Sequence, residues 1–355
     1  MIKKLKTWTI GSLSEQASKA AVYFMILTVC SPTEVNQYSL YLLLLTMNYL
    51  TQLGIQDRLF LNLPRLLNKR AYNFYFYTHL SILLKYQWLL QSILLIIFIQ
   101  AYGLNVLNAI FAIISIFLLQ FFNFTITRIR YQNEILVATR KRLYLSFARL
   151  LLIPLVALNF DVTLIILLEG IICLPFINLR KLVTVRSFRS GDLISFYKFI
   201  KRNRLIMTII GLVTLGATLE RNLSLIFFEE NFLIFMTSLS IFTAPVVFFA
   251  SQFISVLGQE FRNQKIVNRD THFQYFGSKE IYLYLMNLFF ISTFFIYMIF
   301  ENTYGGNNQN VIILIILCIC SKLAELVKIA SYYNLKNFSA VIKIHLISTL
   351  SVISW

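Results

Sequence analysis

Charge is scarce in this sequence: 13% of its 355 residues are Asp, Glu, Lys or Arg. Soluble domains carry about 25% charged and 45–50% apolar residues. With 58% hydrophobic and 15% aromatic residues, the chain lacks the polar surface needed to cover itself in water. Acids are scarcer still, 15 against 32 Lys and Arg, for a formal net charge of +17. There are four cysteines, Cys30, Cys173, Cys318 and Cys320, all inside apolar stretches. Cys318 and Cys320, two apart on a helix, point to different sides and cannot share a metal. The three histidines, His79, His272 and His345, are scattered. A disulfide framework and a zinc site are therefore not expected, nor is any cofactor. Serine-nucleophile, metal and phosphate-loop motifs are missing. The basic Met1–Thr9 is followed by no small-residue cleavage site after an apolar core, so the first apolar run is expected to stay as a membrane span.

What the sequence has is length in apolar runs. Eleven of spanning length recur: Ser12–Cys30, Tyr38–Ile55, Tyr86–Tyr102, Val106–Thr125, Tyr144–Phe160, Val162–Leu179, Leu205–Leu223, Asn231–Ser255, Ile281–Phe300, Val311–Ala330 and Val341–Trp355. The fold class this predicts is all-α, a polytopic membrane protein of about eleven transmembrane helices.

The bases mark the sides. Cytoplasmic loops hold Lys and Arg, and here every second connection is basic. Arg58, Arg65, Lys69, Arg70 and Lys85 follow the second run; Arg128, Arg130, Arg140, Lys141 and Arg142 follow the fourth. Residues 180–204 carry eight bases, and Arg262, Lys265, Arg269 and Lys279 follow the eighth run. The intervening loops, among them Ser31–Gln37, Gly103–Asn105 and Glu301–Asn310, are nearly free of base. The alternation places the amino terminus in the cytoplasm and, with an odd number of spans, the carboxyl terminus outside. Bases dispersed between spans do not make the single basic face that nucleic acid requires; anionic lipid headgroups or an anionic substrate are the expected partners.

The basic segment 180–204 divides the chain into an N-terminal six-helix lobe, 1–179, and a C-terminal lobe of about five, 205–355, an organisation common in transporters built from repeated halves. The second lobe is one helix short of a pair, as of a last hairpin truncated or degenerate.

The stretch Ser31-Pro32-Thr33-Glu34-Val35-Asn36-Gln37-Tyr38-Ser39-Leu40-Tyr41 resembles the turn between the first two helices of Wzx-type polysaccharide flippases, of the multidrug/oligosaccharidyl-lipid/polysaccharide exporter superfamily. Asn36-Gln37 stands where that pattern has glycine. Gln52-Leu53-Gly54-Ile55 resembles the family's Asp-Leu-Gly-Leu, with Gln52 in place of the acid, and Leu63-Pro64 its closing proline. Leu219-Glu220-Arg221-Asn222-Leu223 lies near where the seventh helix of the family carries an Asp-Arg pair. The local likeness covers roughly the first seventy residues and the span pattern most of the rest. It implies two helical lobes around a cavity, no enzymatic step, and movement of an undecaprenyl-diphosphate-linked oligosaccharide across the bacterial inner membrane for O-antigen, lipopolysaccharide or capsule assembly. The implied partners are that lipid-linked substrate, membrane lipids and other polysaccharide-assembly proteins.

Ionisable residues inside the runs are candidate sites on physical grounds, since each costs about 2.5–3.5 kcal/mol at a helix centre on insertion scales. They are Glu15 and Lys19, Arg149, Glu169, Glu220 and Arg221, and Lys322 with Glu325. Glu15 and Lys19, one turn apart, either neutralise each other or place Lys19 in a cavity; the polar residues Ser12, Ser14, Gln16 and Ser18 around them suit a wet face. Arg149 either snorkels back to the basic loop before it or lines that cavity. Glu169 has no local base and needs a partner from another helix or a proton. Lys322 and Glu325, with Lys328, share one face of the tenth run. Lys19, Arg149 and Lys322 are thus candidates for binding a diphosphate, and Glu15, Glu169 and Glu325 for ion coupling. Pro154, Pro175 and Pro245 are candidate bends, Pro245 foremost.

Two other function classes remain open. An ion-coupled exporter of small cationic compounds would share the fold but want an acidic cavity. A membrane polysaccharide polymerase or acyltransferase would want a sizeable outer loop with His, Asp or Arg, and Glu301–Asn310 has one acid and no His.

Overall fold

The computed structural model describes residues 2–52, 69–131 and 134–177, together with isolated positions between 201 and 241 and between 339 and 346, all of these last helical. Every regular element among the described residues is helical. In chain order they are α1 (Ile2–Val29), α2 (Pro32–Thr51), α3 (Lys69–Tyr102), α4 (Val106–Tyr131), α5 (Ile135–Leu150), α6 (Leu152–Ala157) and α7 (Val162–Ile171), then a 3-10 turn, Leu174–Phe176. The all-α class thus holds for the described part. Runs nine and ten, and all of the connector 180–204 but positions 201 and 204, lie outside it, and of runs seven, eight and eleven only isolated positions are described.

Local chemistry sets the boundaries. α2 begins at Pro32, earlier than the expected Tyr38, because Ser31 and Glu34 close a capping box. Ser31 N and Oγ donate to Glu34 Oε2 at 2.9 and 2.6 Å, and Glu34 N donates to Ser31 Oγ at 3.5 Å. Pro32 takes the first helical position, where its missing N–H costs nothing. α3 ends at a left-handed glycine turn: Gly103 adopts φ +68, Leu104 N reaches back to Phe98 O at 3.1 Å, and the Leu104 side chain is buried. Gln37 clamps this turn from α2. Its Oε1 accepts from Asn105 N and Asn108 Nδ2, and its Nε2 donates to Gly103 O. The residue standing where the family pattern has glycine therefore ties α2 to the α3–α4 corner.

The prolines explain two departures from the expected runs. The fifth run, Tyr144–Phe160, is broken: α5 stops at Leu150 and α6 resumes at Leu152. Pro154 has no N–H to give the carbonyl of Leu150, four residues back, and its ring crowds that carbonyl. The sixth, Val162–Leu179, ends as α-helix at Ile171, four residues before Pro175, and passes into the 3-10 turn. Between them Asn159 at φ 57 and the Asp161 Oδ1 cap on Thr163 N at 2.8 Å reverse the chain. Pro245 lies outside the described residues.

The helices pack as two close pairs, α1 on α5 and α4 on α7, with α2 joining α3, α4 and α7. Small residues allow the closest approaches. A Cβ added to Gly170 would stand 2.4 Å from Ser115 Cα, and one added to Gly11 3.0 Å from Thr139 Cγ2. Such contacts let backbones approach where burial of apolar surface does not drive association.

Polarity is distributed inside out. On α3, Gln87, Gln91, Leu94 and Phe98 form the buried stripe, while Trp88, Leu89, Ile93, Ile96 and Ile97 are exposed. On α5 the buried face is Ala138, Thr139, Arg142, Leu145, Ser146 and Arg149, and Leu136, Val137, Tyr144, Phe147 and Leu150 lie outside. By length and composition, one helix among the described residues suffices to cross a membrane: Val106–Ile129, 24 residues at mean hydropathy 2.2. Tyr86–Tyr102 and Val162–Phe176 are apolar but shorter.

Gly170→Ala should force α4 and α7 apart. Overpacking of this kind costs about 1–3 kcal/mol, whereas Gly211, whose added Cβ meets nothing within 4 Å, provides the matched control. The two variants compared by thermal unfolding in detergent test the contact; equal midpoints would show that α4 and α7 are not so close.

Candidate functional site

α1 and α5 face one another through their polar stripes. Ser12, Glu15 and Ser18 recur on one side of α1, and Thr139, Arg142, Ser146 and Arg149 on one side of α5, all buried. Both sets keep the spacing of three and four residues that defines a helix face. Arg142 Nη1 donates to Ser12 Oγ at 2.6 Å, and its Nε lies 3.6 Å from Glu15 Oε2. The other oxygen of Glu15 lies 3.5 Å from Lys19 Nζ. One carboxylate is therefore shared by two bases.

Arg149 is the centre of the site. Its side chain is fully buried, and its Nη1 donates at 3.5 Å to both Glu15 O and Ser18 Oγ on α1. On its other side Nε stands 3.5 Å from Glu169 Oε1 of α7. Snorkelling toward the basic loop is not what this residue does. Its guanidinium points into the bundle, because an acid on a neighbouring helix meets it there.

Glu169, which had no base near it in sequence, gains partners from two helices, one of them backed by a third. Beyond Arg149 on α5, its Oε2 accepts from Tyr41 Oη of α2 at 3.0 Å, and Tyr41 Oη lies 3.0 Å from Ser115 Oγ of α4. With the tyrosine proton committed to Glu169, Ser115 donates to Tyr41. Tyr38 stacks at an angle on Tyr41, ring centroids 5.5 Å apart, and Tyr23 Oη meets Ser39 Oγ at 3.3 Å. Cys173, also buried, contacts Glu169 O through Sγ at 3.8 Å. Gly170, beside Glu169, permits the approach to Ser115 that closes this set.

The arrangement unites Glu15, Lys19, Arg149 and Glu169, four residues singled out for being charged inside apolar runs. Lys322, Glu325, Glu220 and Arg221 lie outside the described residues. Sequence reasoning assigned Arg142 to a cytoplasmic loop. Its spacing of seven from Arg149, two turns on one face, was the available signal. Tyr41 and Ser115 had none, since uncharged polar residues are ordinary in such helices. Lys19, with 29% of its side chain exposed, is the most accessible of the three bases. With two acids and three bases the cluster carries a net charge of +1 when all are ionised. No group of three or more His, Cys, Asp or Glu that could hold a metal occurs among the described residues.

A second polar cluster lies further along α2. Asn48 Nδ2 donates to Gln120 Oε1 at 3.4 Å, Gln91 Nε2 to Asn48 Oδ1 at 2.8 Å, and Gln87 Nε2 to Thr51 Oγ1 at 3.4 Å and also to Gln120 Oε1. Thr51 Oγ1 donates to Asn48 Oδ1 at 2.7 Å. All five side chains are buried.

No protein-family model matches the chain, and neither a curated protein nor a solved structure is significantly similar to it.

Removing one partner of a buried ion pair strands the other, at about 3–5 kcal/mol. Arg149→Leu and Glu169→Leu should each unfold markedly earlier in detergent than the wild type, and the double variant should recover most of the loss. A double variant no better than the sum of the singles would show that the two side chains do not interact.

Proposed function

We propose that the chain is a polytopic α-helical protein of the bacterial inner membrane, with two helical lobes, that moves an undecaprenyl-diphosphate-linked oligosaccharide across the bilayer. The observation that carries this reading is the inversion of polarity: apolar side chains outward, and a buried cluster of two acids and three bases inward. An apolar exterior suits hydrocarbon, and ionisable groups at membrane depth face partners or pathways. The polar inner stripes also explain why α1 and α2 fall short of the hydropathy of α4: Ser12, Glu15, Ser18 and Lys19, or Asn36, Asn48 and Thr51, lower the average without touching lipid. The basic alternation of the connections supports a multi-pass topology with the amino terminus inside.

A diphosphate competes with Glu15 and Glu169 for Lys19, Arg142 and Arg149. While both acids are ionised, they hold the bases and the cluster is close to neutral. A coupling cation taken up by each acid raises the charge from +1 to +3 and frees guanidinium groups for phosphate. Substrate and coupling ion thus favour the same state of the cluster, a coupling through differential affinity that needs no covalent step. Lys19, at the edge, is the first contact, and Lys322 is the candidate base of the second lobe. The excess of base argues against an exporter of cationic compounds, which wants an acidic cavity.

Three measurements test this. In a bacterium lacking its own O-antigen or capsule flippase and given the cognate glycan pathway, the wild type should restore surface polysaccharide. Lys19→Ala and Lys322→Ala should lose that restoration at equal membrane abundance. Failure of the wild type under those conditions removes the flippase reading. Glu169→Gln, which removes the counter-charge of Arg149, should bind undecaprenyl diphosphate more tightly than the wild type; equal affinity would deny Glu169 the competing role. Finally, with native cysteines replaced, an impermeant maleimide should label Ser31→Cys in intact cells but Arg189→Cys only after permeabilisation. The reverse pattern would overturn the topology.

A further inference from the structure

We infer that the buried amide cluster of Asn48, Gln87, Gln91 and Gln120, with Thr51, is a subsite for sugar hydroxyl groups, the neutral part of the molecule whose anionic part the charged cluster takes. The inference rests on the flippase reading and adds the recognition of the glycan to it.

The chemistry of the cluster differs in kind from that around Arg149. No ionisable side chain among the described residues enters its hydrogen bonds, so among them phosphate has no counter-charge here. Each amide carries both donors and acceptors, and threonine one of each kind. A sugar hydroxyl is likewise donor and acceptor at once, so it can replace an amide–amide bond one for one.

The cluster is also built, with valences to spare. It draws on α2, α3 and α4, and all five residues are more than nine-tenths buried. Gln91 Oε1 and Gln120 Nε2 nonetheless have no hydrogen-bond partner among the described residues. An acceptor and a donor are thus left over at a buried site, where a missing bond is costly. Interhelical polar contacts in membrane proteins average well under 1 kcal/mol, so helix association alone is a poor reason to bury four amides.

Placement completes the argument. Tyr41, which binds Glu169, and Asn48 lie seven residues apart on α2, two turns along one face and about 10 Å. Ser115 and Gln120 repeat this order on α4. The polar interior therefore runs from a charged site to a hydroxyl-matching site, the order in which a diphosphate is followed by its first sugars. In the described conformation the amides bond one another; withdrawal of α3, which contributes Gln87 and Gln91, opens them to a ligand.

The test uses the full chain in lipid nanodiscs. The probes are undecaprenyl diphosphate and the same lipid bearing glucose, galactose, N-acetylglucosamine or N-acetylgalactosamine. At least one sugar-bearing lipid should bind on the order of tenfold more tightly than the sugar-free lipid. The near-isosteric Gln91→Met and Gln120→Met should abolish that increment without altering affinity for the sugar-free lipid. Lys19→Ala should weaken all of them. A diazirine on the first sugar should cross-link the wild type within α2, α3 or α4, a readout that depends on no variant's folding. Equal binding with and without sugar, an increment that survives both methionine variants, or cross-links confined to other helices would each overturn the subsite while leaving the flippase reading standing. Failure of every prenyl diphosphate to bind would remove both.

Discussion

A guanidinium with no exposed surface must be neutralised where it lies, and the arrangement of the helices follows from how Arg149 meets that demand. Its counter-ion comes from α7, its hydrogen-bond acceptors from α1, and the counter-ion is itself held by Tyr41 of α2, backed by Ser115 of α4. Five helices are thereby placed by one charge. Gly170 belongs to the same solution: a side chain there would meet the α4 backbone and carry Glu169 away from Tyr41. α5 ends at Leu150, one residue past Arg149, so Arg142, Ser146 and Arg149 all lie on unbroken helix.

Replacing such a pair with apolar residues often leaves stability unchanged or improves it. On the flippase reading, a buried cluster with more bases than acids is a device kept for its chemistry. Glu15 is divided between Lys19 and Arg142, and Glu169 between Arg149 and Tyr41. Neither acid belongs to a single partner, so the arrival of an ion redistributes charge across the set. At 3.5–3.6 Å the ion pairs are longer than charge-assisted hydrogen bonds of about 2.7–2.9 Å.

On the flippase reading the interior is graded by chemistry along α2. Hydroxyl and carboxylate groups near Tyr41 give way to amides at Asn48 and beyond. Such a gradient matches one ligand with unlike parts better than it matches two ligands. The exposed apolar faces of α3, α4 and α5 suit a long prenyl tail as well as they suit bulk lipid.

The sequence by itself determined the helical class of the described residues, the corners and the residues worth watching. These follow from local rules: apolar period and length mark helices, a Ser-x-x-Glu pair starts one, and prolines end them four residues early. α2 begins ahead of its apolar run because the cap, not hydropathy, sets its start. Charged residues in apolar runs stand out since each is costly there, and so Glu15, Lys19, Arg149 and Glu169 were visible. Their partnership was not. Arg149 and Glu169 are twenty residues apart on helices that run in opposite directions, and Glu15 is farther still. Arg142 passed as a loop base because proximity in sequence was its plainest feature. Gln37, Tyr41, Ser115 and the amides carry no charge to mark them, and their meaning lies in what faces them. Only tertiary packing decided that, because which helix faces which depends on small residues, polar stripes and shared counter-ions matched over long separations, and no local rule contains those matches.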